Sequence, residues 1–344
     1  MNIKLLGIDL AKTVFQLCAL NQSNKVIFNR TVRRTQLRAT IAQLPATTIA
    51  MESCSSAHYW GRAFESLGHK VVLLPPQHVK PFVRGGKSDA RDALAICEAA
   101  QRPGLHPVPI KSPEQQDIQL LHRIRQRQVH NATALANQIR SIGREYGVTF
   151  PAGIRKLIAN LPDALEDGSN DLSPVARYAL AEQHQQLQET RQRVKALQQQ
   201  IEQLAVAYPA FAALQALPGI GPLTASAYIA AIGSGHQFQC GRQVSAWLGL
   251  VPRQYGTGGQ IQLKGMTKNG DRYLRTLLIH CARAAISRGQ HRCPPLAEWV
   301  QPIISRSGYN KAVVALANKL SRIAWVVVAT GDDFDLRRAF KPAN

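Results

Sequence analysis

The stretch IKLLGIDLAKTVFQLCALNQSNKVIFNRTV, residues 3–32, decides the fold of the first part of the chain. It contains three apolar runs, over residues 3–9, 13–20 and 25–32, and the last two are separated by the turn-like segment NQSN. Short apolar runs that are bounded by polar turns are typical of strands. The stretch therefore predicts three consecutive strands that form a meander.

Strands and helices alternate after this meander. Residues 47–53 and 70–75 again have the composition of buried strands. Helical patterns cover residues 35–44, 57–68 and 89–100. Ser88 precedes the last of these helices and is a residue type that caps helices. This order mixes antiparallel pairing with crossover helices, so it predicts an α/β layer domain over residues 1–112.

Composition and charge exclude several classes of protein. The chain has 344 residues, of which 45% are hydrophobic, so it is not a disordered chain and is long enough for two domains. Its 42 Lys and Arg outnumber 21 Asp and Glu, which gives a net charge of +21. Such an excess favours a polyanionic partner, with nucleic acid ahead of an anionic membrane surface.

The sequence predicts a cytoplasmic protein without a membrane partner. No apolar run approaches the roughly 20 residues that a membrane span needs. The opening MNIKLLGIDLAK reads as a strand and not as a signal peptide. The six cysteines are scattered without a C-x-x-C pair, as is usual for reduced thiols.

The middle of the chain, residues 113–207, is predicted to be largely helical. Residues 113–144 form one helical pattern, and residues 151–174, rich in Pro, Gly, Asp and Asn, predict a looser connector. Apolar residues then recur at heptad spacing, with Leu180, Leu187, Val194 and Ile201 at one seam position and Leu197 and Leu204 at the other. Heptads predict a coiled coil, within the chain or between subunits, and a plain surface helix of a bundle is the alternative.

Residues 208–330 are predicted to form a second domain, mostly helical, followed by a tail over residues 331–344. Between Arg253 and Arg322 twelve Lys or Arg accompany only two acids, Asp271 and Glu298. The basic excess of the chain is therefore concentrated where a nucleic-acid-facing domain requires it.

Four acids of the first domain are predicted to meet at one edge of the sheet. Asp9 ends the first strand and Glu52 the fourth, so neighbouring strands would place both at the same edge. Asp89 and Asp92 lie about 60° apart around a helix that can pack across that edge. Taken alone, this pair is explained more simply by an acid favoured by the helix dipole and a solvated neighbour. Four converging carboxylates are typical of hard divalent cations, which here predicts two Mg²⁺ ions, with Mn²⁺ as a substitute, acting on a phosphodiester.

These residues and further motifs resemble a known family. GIDLAK, MES, KSDARDA, LPGIGPLTA, GLVPRQYGTGG and GMTKNGDRYLRTLLIHCARA follow one another over nearly the whole chain. In this order they are similar to the DEDD transposases of the insertion-sequence family one hundred and ten, subgroup one thousand one hundred and eleven. The resemblance implies a ribonuclease H-like, RuvC-like N-terminal domain whose catalytic metal ligands are Asp9, Glu52, Asp89 and Asp92. It further implies a mostly α C-terminal transposase domain, and an enzyme that cuts and rejoins DNA.

Residues 254–260, QYGTGGQ, read as a flexible loop with one hydroxyl between glycines that permit close approach of a nucleic-acid backbone. The resemblance implies that this hydroxyl, Thr257, attacks DNA and forms a covalent phosphoester. Family members usually have serine here, whereas this chain has Thr257 preceded by Gly256. Ser234 or Ser245 is the alternative nucleophile, and a hairpin turn with an uninvolved threonine is the plain reading.

Basic residues and glycines are predicted to contact nucleic acid. They are Arg123, Arg125 and Arg127 of the long helix, Gly219 and Gly221 of LPGIGPLTASA, and Arg253, Gly258, Gly259, Lys264, Lys268, Arg272 and Arg275. The two glycines of LPGIGPLTASA open a helix-hairpin-helix-like turn that can hold a phosphate, or simply connect two helices. Contacts to a nucleic-acid backbone carry no sequence information. The resemblance implies that an RNA encoded by the element supplies specificity by pairing with donor and target DNA.

The sequence thus predicts an RNA-guided transposase that acts as a homodimer or homotetramer. Two alternatives stay open. The four carboxylates alone could serve a metal-dependent, Holliday-junction-type nuclease without a covalent intermediate. The basic charge alone could serve a non-catalytic nucleic-acid-binding protein.

Overall fold

The computed structural model describes residues 2–83, 85–86 and 88–340, with the backbone alone of residues 289–292. The chain divides into two compact units, residues 1–113 and 114–344. The finer divisions expected at residues 207/208 and 330/331 stay predictions, and the last four residues of the expected tail lie outside the described residues.

A five-stranded mixed sheet forms the centre of the first unit, with the strand order β3-β2-β1-β4-β5. The strands are β1 (Leu5–Asp9), β2 (Val14–Leu20), β3 (Val26–Arg33), β4 (Thr48–Glu52) and β5 (Lys70–Leu74). Strands β1, β2 and β3 pair antiparallel, while β4 pairs parallel to both β1 and β5. This confirms the predicted meander and the neighbouring positions of the first and fourth strands.

Helices cover both faces of this sheet. They are α1 (Arg34–Ala42), α2 (Ala57–Glu65), α3 (Pro76–Val79) with a 3₁₀ turn at Lys80–Phe82, and α4 (Asp89–Ala100). Because strand residues alternate between faces, Leu6 and Ile8 pack in the core that contains residues of α1 and α2, and Leu5 packs in the core that contains α4. The predicted bounds of α4 are confirmed. Ser88 occupies the N-cap position of α4, but its side chain accepts no capping hydrogen bond, contrary to expectation.

The second unit is helical apart from one hairpin. Its elements are α5 (Pro113–Glu145), α6 (Ile154–Glu166), α7 (Pro174–Ala205), α8 (Ala210–Gln215), α9 (Pro222–Ile232), α10 (Gly241–Trp247), β6 (Pro252–Thr257), β7 (Gln260–Met266), α11 (Arg272–Arg292), α12 (Pro294–Ser307), α13 (Tyr309–Thr330) and α14 (Leu336–Ala339). One hydrophobic core contains residues of all the helices from α8 through α13, together with the buried Phe340. Another contains residues of α5, α6 and α7. The predicted long helix of residues 113–144 is confirmed to within one residue.

The expectation of a loose connector at residues 151–174 is wrong, because helix α6 occupies much of it. Leu157 and Leu161 are buried against α5 and α7 and stabilise this helix. Pro162 lies inside α6 and cannot donate to the carbonyl of Ile158. His184 of α7 lies with its Nε2 3.1 Å from that carbonyl oxygen, so the lost hydrogen bond is replaced from the neighbouring helix.

Helix α7 confirms the predicted helix, but its burial does not follow a complete heptad seam. It packs against α6 and α9 within the unit. Its inward side chains include Leu180, Leu187 and Ile201. Val194 and Leu197 are half-buried and Leu204 is exposed. Ile201, the last residue of its seam, is buried with Ile118 of α5 and Ala230 of α9, so burial along this seam is interrupted at Val194 and then resumes. A coiled coil between subunits stays a prediction.

Helix α13 corrects the expectation that no apolar run approaches a membrane span. Among the described residues it is the one helix long and apolar enough to cross a membrane. Just under half of its apolar stretch is buried inside the protein. Its residues Val313, Leu316 and Leu320 belong to the core of the second unit, and a core helix passes the same test of length and composition.

Gly7 brings the backbone of β1 into direct contact with α4, which yields a first prediction. A methyl group at this position would lie 2.5 Å from Cys97 Sγ and 2.6 Å from the Ala93 carbonyl oxygen. We expect Gly7→Ala to destabilise the chain by about 1–3 kcal/mol, the usual cost of overpacking a core. Urea unfolding followed by circular dichroism measures this. Gly86→Ala is the control, because its methyl group would meet only Arg91 Nη1 at 3.9 Å. An unchanged midpoint for Gly7→Ala would contradict the close contact.

Candidate functional site

Three carboxylates meet where β1 ends beneath the first turn of α4. One carboxylate oxygen each from Asp9, Asp89 and Asp92 lies within 4.8 Å of the others. Asp9 shares the α4-facing side of β1 with Gly7, since every second strand residue points the same way. Asp9 and Asp92 are half-buried and Asp89 is exposed. The structure therefore brings together three of the four acids that the sequence predicted.

Two polar residues that sequence reasoning missed hold α4 in place above the sheet. Gln16 pairs with Asp9 across β1 and β2. Its Nε2 donates to Asn29 Oδ1 at 2.6 Å, and Asn29 Nδ2 donates to the carbonyl oxygen of Ala90 at 2.9 Å. This chain links the strand beside Asp9 to the helical turn between the other two acids. In the sequence both residues read as ordinary polar positions of a meander, and only the pairing register reveals their role.

Glu52 lies next to the cluster but outside the group of three. It ends β4, directly after Met51, which pairs with Ile8, so continuing the β1–β4 register by one residue would place Glu52 beside Asp9. Burial raises the pKa of Glu52, and the charge of Asp92 raises it further. Burial likewise raises the pKa of the Cys54 thiol, with further contributions from the charges of Glu52 and Asp9. The fourth acid therefore belongs to the same electrostatic environment without sharing the three-residue contact.

The cluster can hold a divalent metal ion. Negative charges at these distances repel one another unless a cation lies between them. Carboxylate oxygens are the ligands that hard cations such as Mg²⁺ prefer. The donor set of Asp9, Asp89 and Asp92 fits such an ion.

Thr257 ends an exposed two-stranded ribbon, which corrects the expectation of a flexible loop. Strands β6 and β7 pair antiparallel with Thr257 opposite Gln260. The turn between them consists of Gly258 and Gly259, both with positive φ, at 58° and 81°. Two such residues form the tight turn that matches the twist of a hairpin. Both glycines are thereby explained by the turn, and their contact with nucleic acid stays a prediction.

The two faces of the ribbon differ in chemistry. Residues opposite each other share a face, so Thr257 lies on the side of Tyr255 and Gln262. Lys264 Nζ lies 4.9 Å from the Tyr255 ring centroid, on the same side. The other side carries Ile261 and Leu263, which are 68% and 64% exposed. The hydroxyl therefore stands on the polar, cationic face.

The two serines that were alternatives to Thr257 differ in access. Ser245 is buried and its Oγ donates to the Arg242 carbonyl oxygen at 3.0 Å. Ser234 is exposed and follows the C-terminal end of α9. Burial thus disfavours Ser245, while Ser234 keeps the access that a nucleophile needs.

The turn that contains Gly219 and Gly221 connects α8 to α9. Gly219 has a φ of 78°, and a side chain there would overlap the Cys281 carbonyl oxygen of α11. Ile220 N donates to the Leu217 carbonyl oxygen at 3.1 Å. Helix packing therefore accounts for Gly219 without a ligand, and phosphate binding by this turn stays a prediction.

Two of the predicted phosphate contacts are engaged inside the protein. Arg275 is only 9% exposed and donates to the carbonyl oxygens of Leu248 and Asn269 at 2.9 and 2.6 Å. Arg125 is half-buried and donates to Gln198 Oε1 at 3.2 Å. Burial and the two hydrogen bonds from Nη1 therefore disfavour the predicted phosphate grip by Arg275, which stays a prediction. The other predicted basic residues are exposed, namely Arg123, Arg127, Arg253, Lys264, Lys268 and Arg272.

Arg125 adjoins a buried polar group between α5, α9 and α11. His122 Nδ1 lies 3.0 Å from Tyr273 Oη, and its Nε2 lies 3.1 Å from Ser226 Oγ. Burial, helped by the charge of Arg125, lowers the pKa of His122 to about 4, so the imidazole is neutral at physiological pH. These contacts fix the long helix to the C-terminal core.

Known families match both units. A family of transposases of the DEDD type matches residues 6–147, and the family described as "Transposase IS116/IS110/IS902 family" matches residues 212–294. The mixed sheet and its helices are accordingly ribonuclease H-like, and a mostly helical transposase domain follows them.

Named relatives cover nearly the whole chain. A "Probable family 20 transposase" of Pseudomonas aeruginosa is 43% identical over 330 residues, 96% of this chain and 98% of the relative. The "Transposase for insertion sequence element IS1111A" of Coxiella burnetii is 39% identical, over 97% of this chain and 92% of the relative. The "Transposase for insertion sequence element IS1328" of Yersinia enterocolitica is 37% identical, over 97% and 99%. The chain therefore belongs to the IS110/IS1111 family of DEDD transposases, enzymes of DNA transposition.

Proposed function

We propose that this transposase cuts and rejoins DNA through a covalent intermediate on Thr257, with Mg²⁺ held by Asp9, Glu52, Asp89 and Asp92. The observation that carries the proposal is the meeting of Asp9, Asp89 and Asp92 within 4.8 Å at the edge of the sheet. Like charges are placed so closely only at a cost, and a bound cation offsets that cost.

The chemistry assigned to the cluster is electrostatic. A divalent ion supplies charge that stabilises the oxygens of a phosphodiester undergoing displacement. Two observations support the inclusion of Glu52 among the metal ligands, namely its position at the end of the strand next to Asp9 and its raised pKa. A raised pKa means that the metal-free protein binds a proton there at a pH where a solvated glutamate is ionised, so a cation at the site competes with that proton.

The nucleophile is assigned to the Thr257 hydroxyl. Its Oγ forms a bond to phosphorus as one P–O bond of the DNA backbone breaks, and the hydroxyl proton passes to the departing deoxyribose oxygen. Attack by a DNA hydroxyl on the phosphothreonine reverses this step and rejoins the strand. The exposed position of Thr257 at a ribbon tip, on the face that bears Lys264, supports the assignment.

Guidance by an element-encoded RNA and assembly into a dimer or tetramer complete the proposal, in a bacterial cytoplasm. The net charge of +21 supports binding of more than one polyanionic strand. Exposed Arg123 and Arg127 on α5 offer contacts for RNA phosphates. The exposed Leu204 of α7 offers apolar surface for a second copy.

The metal assignment predicts stabilisation by Mg²⁺ that depends on the aspartates. At 10 mM Mg²⁺, a dissociation constant of about 1 mM would stabilise the wild-type chain by about 1.4 kcal/mol and raise its melting temperature by about 2 °C. We expect the double variant Asp89→Asn, Asp92→Asn to lose this shift and DNA rejoining. Calorimetry with and without Mg²⁺ measures it.

The control for the metal experiment is Glu65→Gln, which removes an exposed acid of the same unit. This variant is expected to keep the full shift. Persistence of the Mg²⁺ shift in the double aspartate variant would refute the assigned ligands.

The nucleophile assignment predicts a separate set of results. Thr257→Ala is expected to abolish covalent protein–DNA adducts and to lower recombination by at least about 10³-fold, since loss of a nucleophile removes a whole step. Thr257→Ser keeps a less crowded hydroxyl and should retain both. Denaturing gels of labelled DNA detect the adduct.

Thr133→Ala, which removes an exposed threonine of α5, is the matched control. Cutting without adducts in the Thr257→Ala chain would instead identify a nuclease of the junction-resolving type. DNA binding without cutting by the wild-type chain would identify a non-catalytic binding protein.

RNA guidance predicts that purified protein, freed of RNA by ribonuclease and repurified, no longer joins the element's ends to its target. Adding the transcript of the element's own non-coding DNA should restore joining, and an RNA of equal length and unrelated sequence should not. Sequencing of the products reads the outcome. Equal joining by RNA-free protein would rule out guidance.

A further inference from the structure

A cationic cleft runs along the exposed side of α11. It encloses about 510 Å³, and its lining includes Lys268, Arg272, Arg275, Thr276, His280 and Arg283. No acidic residue and no Phe, Tyr or Trp lines this cleft in the part of the chain that the structure describes. No acidic side chain of the lining therefore neutralises the positive charge of this cleft.

The spacing of the basic residues along α11 places them in a row on one side of the helix. Arg272, His280 and Arg283 are separated by eight and three residues, which places them on one side of the helix. Leu274, Leu278 and Cys281 occupy the buried side. From Arg272 to Arg283 the helix rises by about 16 Å, a length over which one strand of B-DNA advances by about five phosphates.

The backbone that carries Lys268 is fixed before any ligand binds. Lys268 has a φ of 58°, in the left-handed region, and its N–H donates to the Gly249 carbonyl oxygen at 3.1 Å. The neighbouring Asn269 carbonyl accepts from the buried Arg275 at 2.6 Å. A residue other than glycine keeps such an unfavourable backbone conformation only where the surrounding structure stabilises it. Arg275 is thus a positioning residue, which acts on the cleft through the loop.

We infer that this cleft binds the phosphodiester backbone of duplex DNA, with Lys268, Arg272 and Arg283 as the phosphate contacts. The inference rests on the proposed function in that DNA is the substrate. Binding of single strands and of RNA commonly uses aromatic side chains that stack on bases, and the absence of Phe, Tyr and Trp from the lining favours a duplex backbone. His280 and Arg283, which the sequence analysis did not assign to nucleic acid, extend the site beyond the KNGDRYLR segment.

The test measures salt dependence of DNA binding by the full chain in an Asp92→Asn background, so that cutting does not contribute. Each of Arg272→Gln and Arg283→Gln is expected to reduce the slope of log K against log salt by about one. The corresponding loss of affinity at 0.15 M salt is about fivefold for each variant. Arg306→Gln removes an exposed arginine at the end of α12 and is the matched control, with an unchanged slope expected.

Three probes separate the possible ligands, namely a 30-base-pair duplex of the element end, a scrambled duplex and an RNA hairpin of equal length. The cleft is supported if both duplexes show the reduced slope in Arg272→Gln and Arg283→Gln. It is overturned if these variants behave like Arg306→Gln, or if only RNA binding changes. Recombination by chains with intact Asp92 is measured in parallel. If the wild-type chain recombines DNA but the Arg272→Gln and Arg283→Gln variants keep the wild-type salt slope, the cleft is refuted and the proposed function is not. If both variants show the reduced slope but the wild-type chain does not recombine DNA, the proposed function is refuted and the cleft is not.

Discussion

The contact between helix α4 and the bare backbone of β1 at Gly7 is the constraint on which the first unit depends. Without a side chain at Gly7, the helix approaches the sheet until Cys97 and Ala93 occupy that space. This approach lets two acids of the helix reach a third at the strand end. The hydrogen-bond chain through Gln16 and Asn29 fixes the helix at the same end. Packing and polar contacts therefore act together to hold like charges in proximity, a cost that a cation offsets.

In the second unit, long polar side chains satisfy main-chain carbonyls that the helices leave open. Arg275 serves Leu248 and Asn269, and His184 lies against the carbonyl freed by Pro162. A buried acceptor without a donor costs about 1–3 kcal/mol, so these groups are bound into the structure. Some basic side chains of this unit therefore stabilise the backbone, and the exposed ones stay the candidates for contact with nucleic acid.

Much of the first unit could be predicted from its sequence, because its strands are short apolar runs separated by clear turns. Asp9 and Glu52 were found from their places at strand ends. The second unit was harder, since α6 depends on buried Leu157 and Leu161 and on a hydrogen bond from α7, none of which is local. The burial of Arg275 likewise depends on a loop that folds over it. The ribbon of β6 and β7 had a readable signal, the alternation of Gln and apolar residues from Gln260 to Leu263, which the glycines of QYGTGGQ concealed.

The ribbon also limits how this part of the chain can change over evolutionary time. Within each strand, successive residues point in opposite directions, so the side on which a residue lies depends only on whether it is an odd or an even number of residues from the turn. Replacement of a residue leaves that parity intact. Gain or loss of a single codon between Gly258 and Ile261 reverses it, and Ile261 and Leu263 would then join the hydroxyl on one side. We therefore expect descendants of this element to vary here in residue type while conserving length.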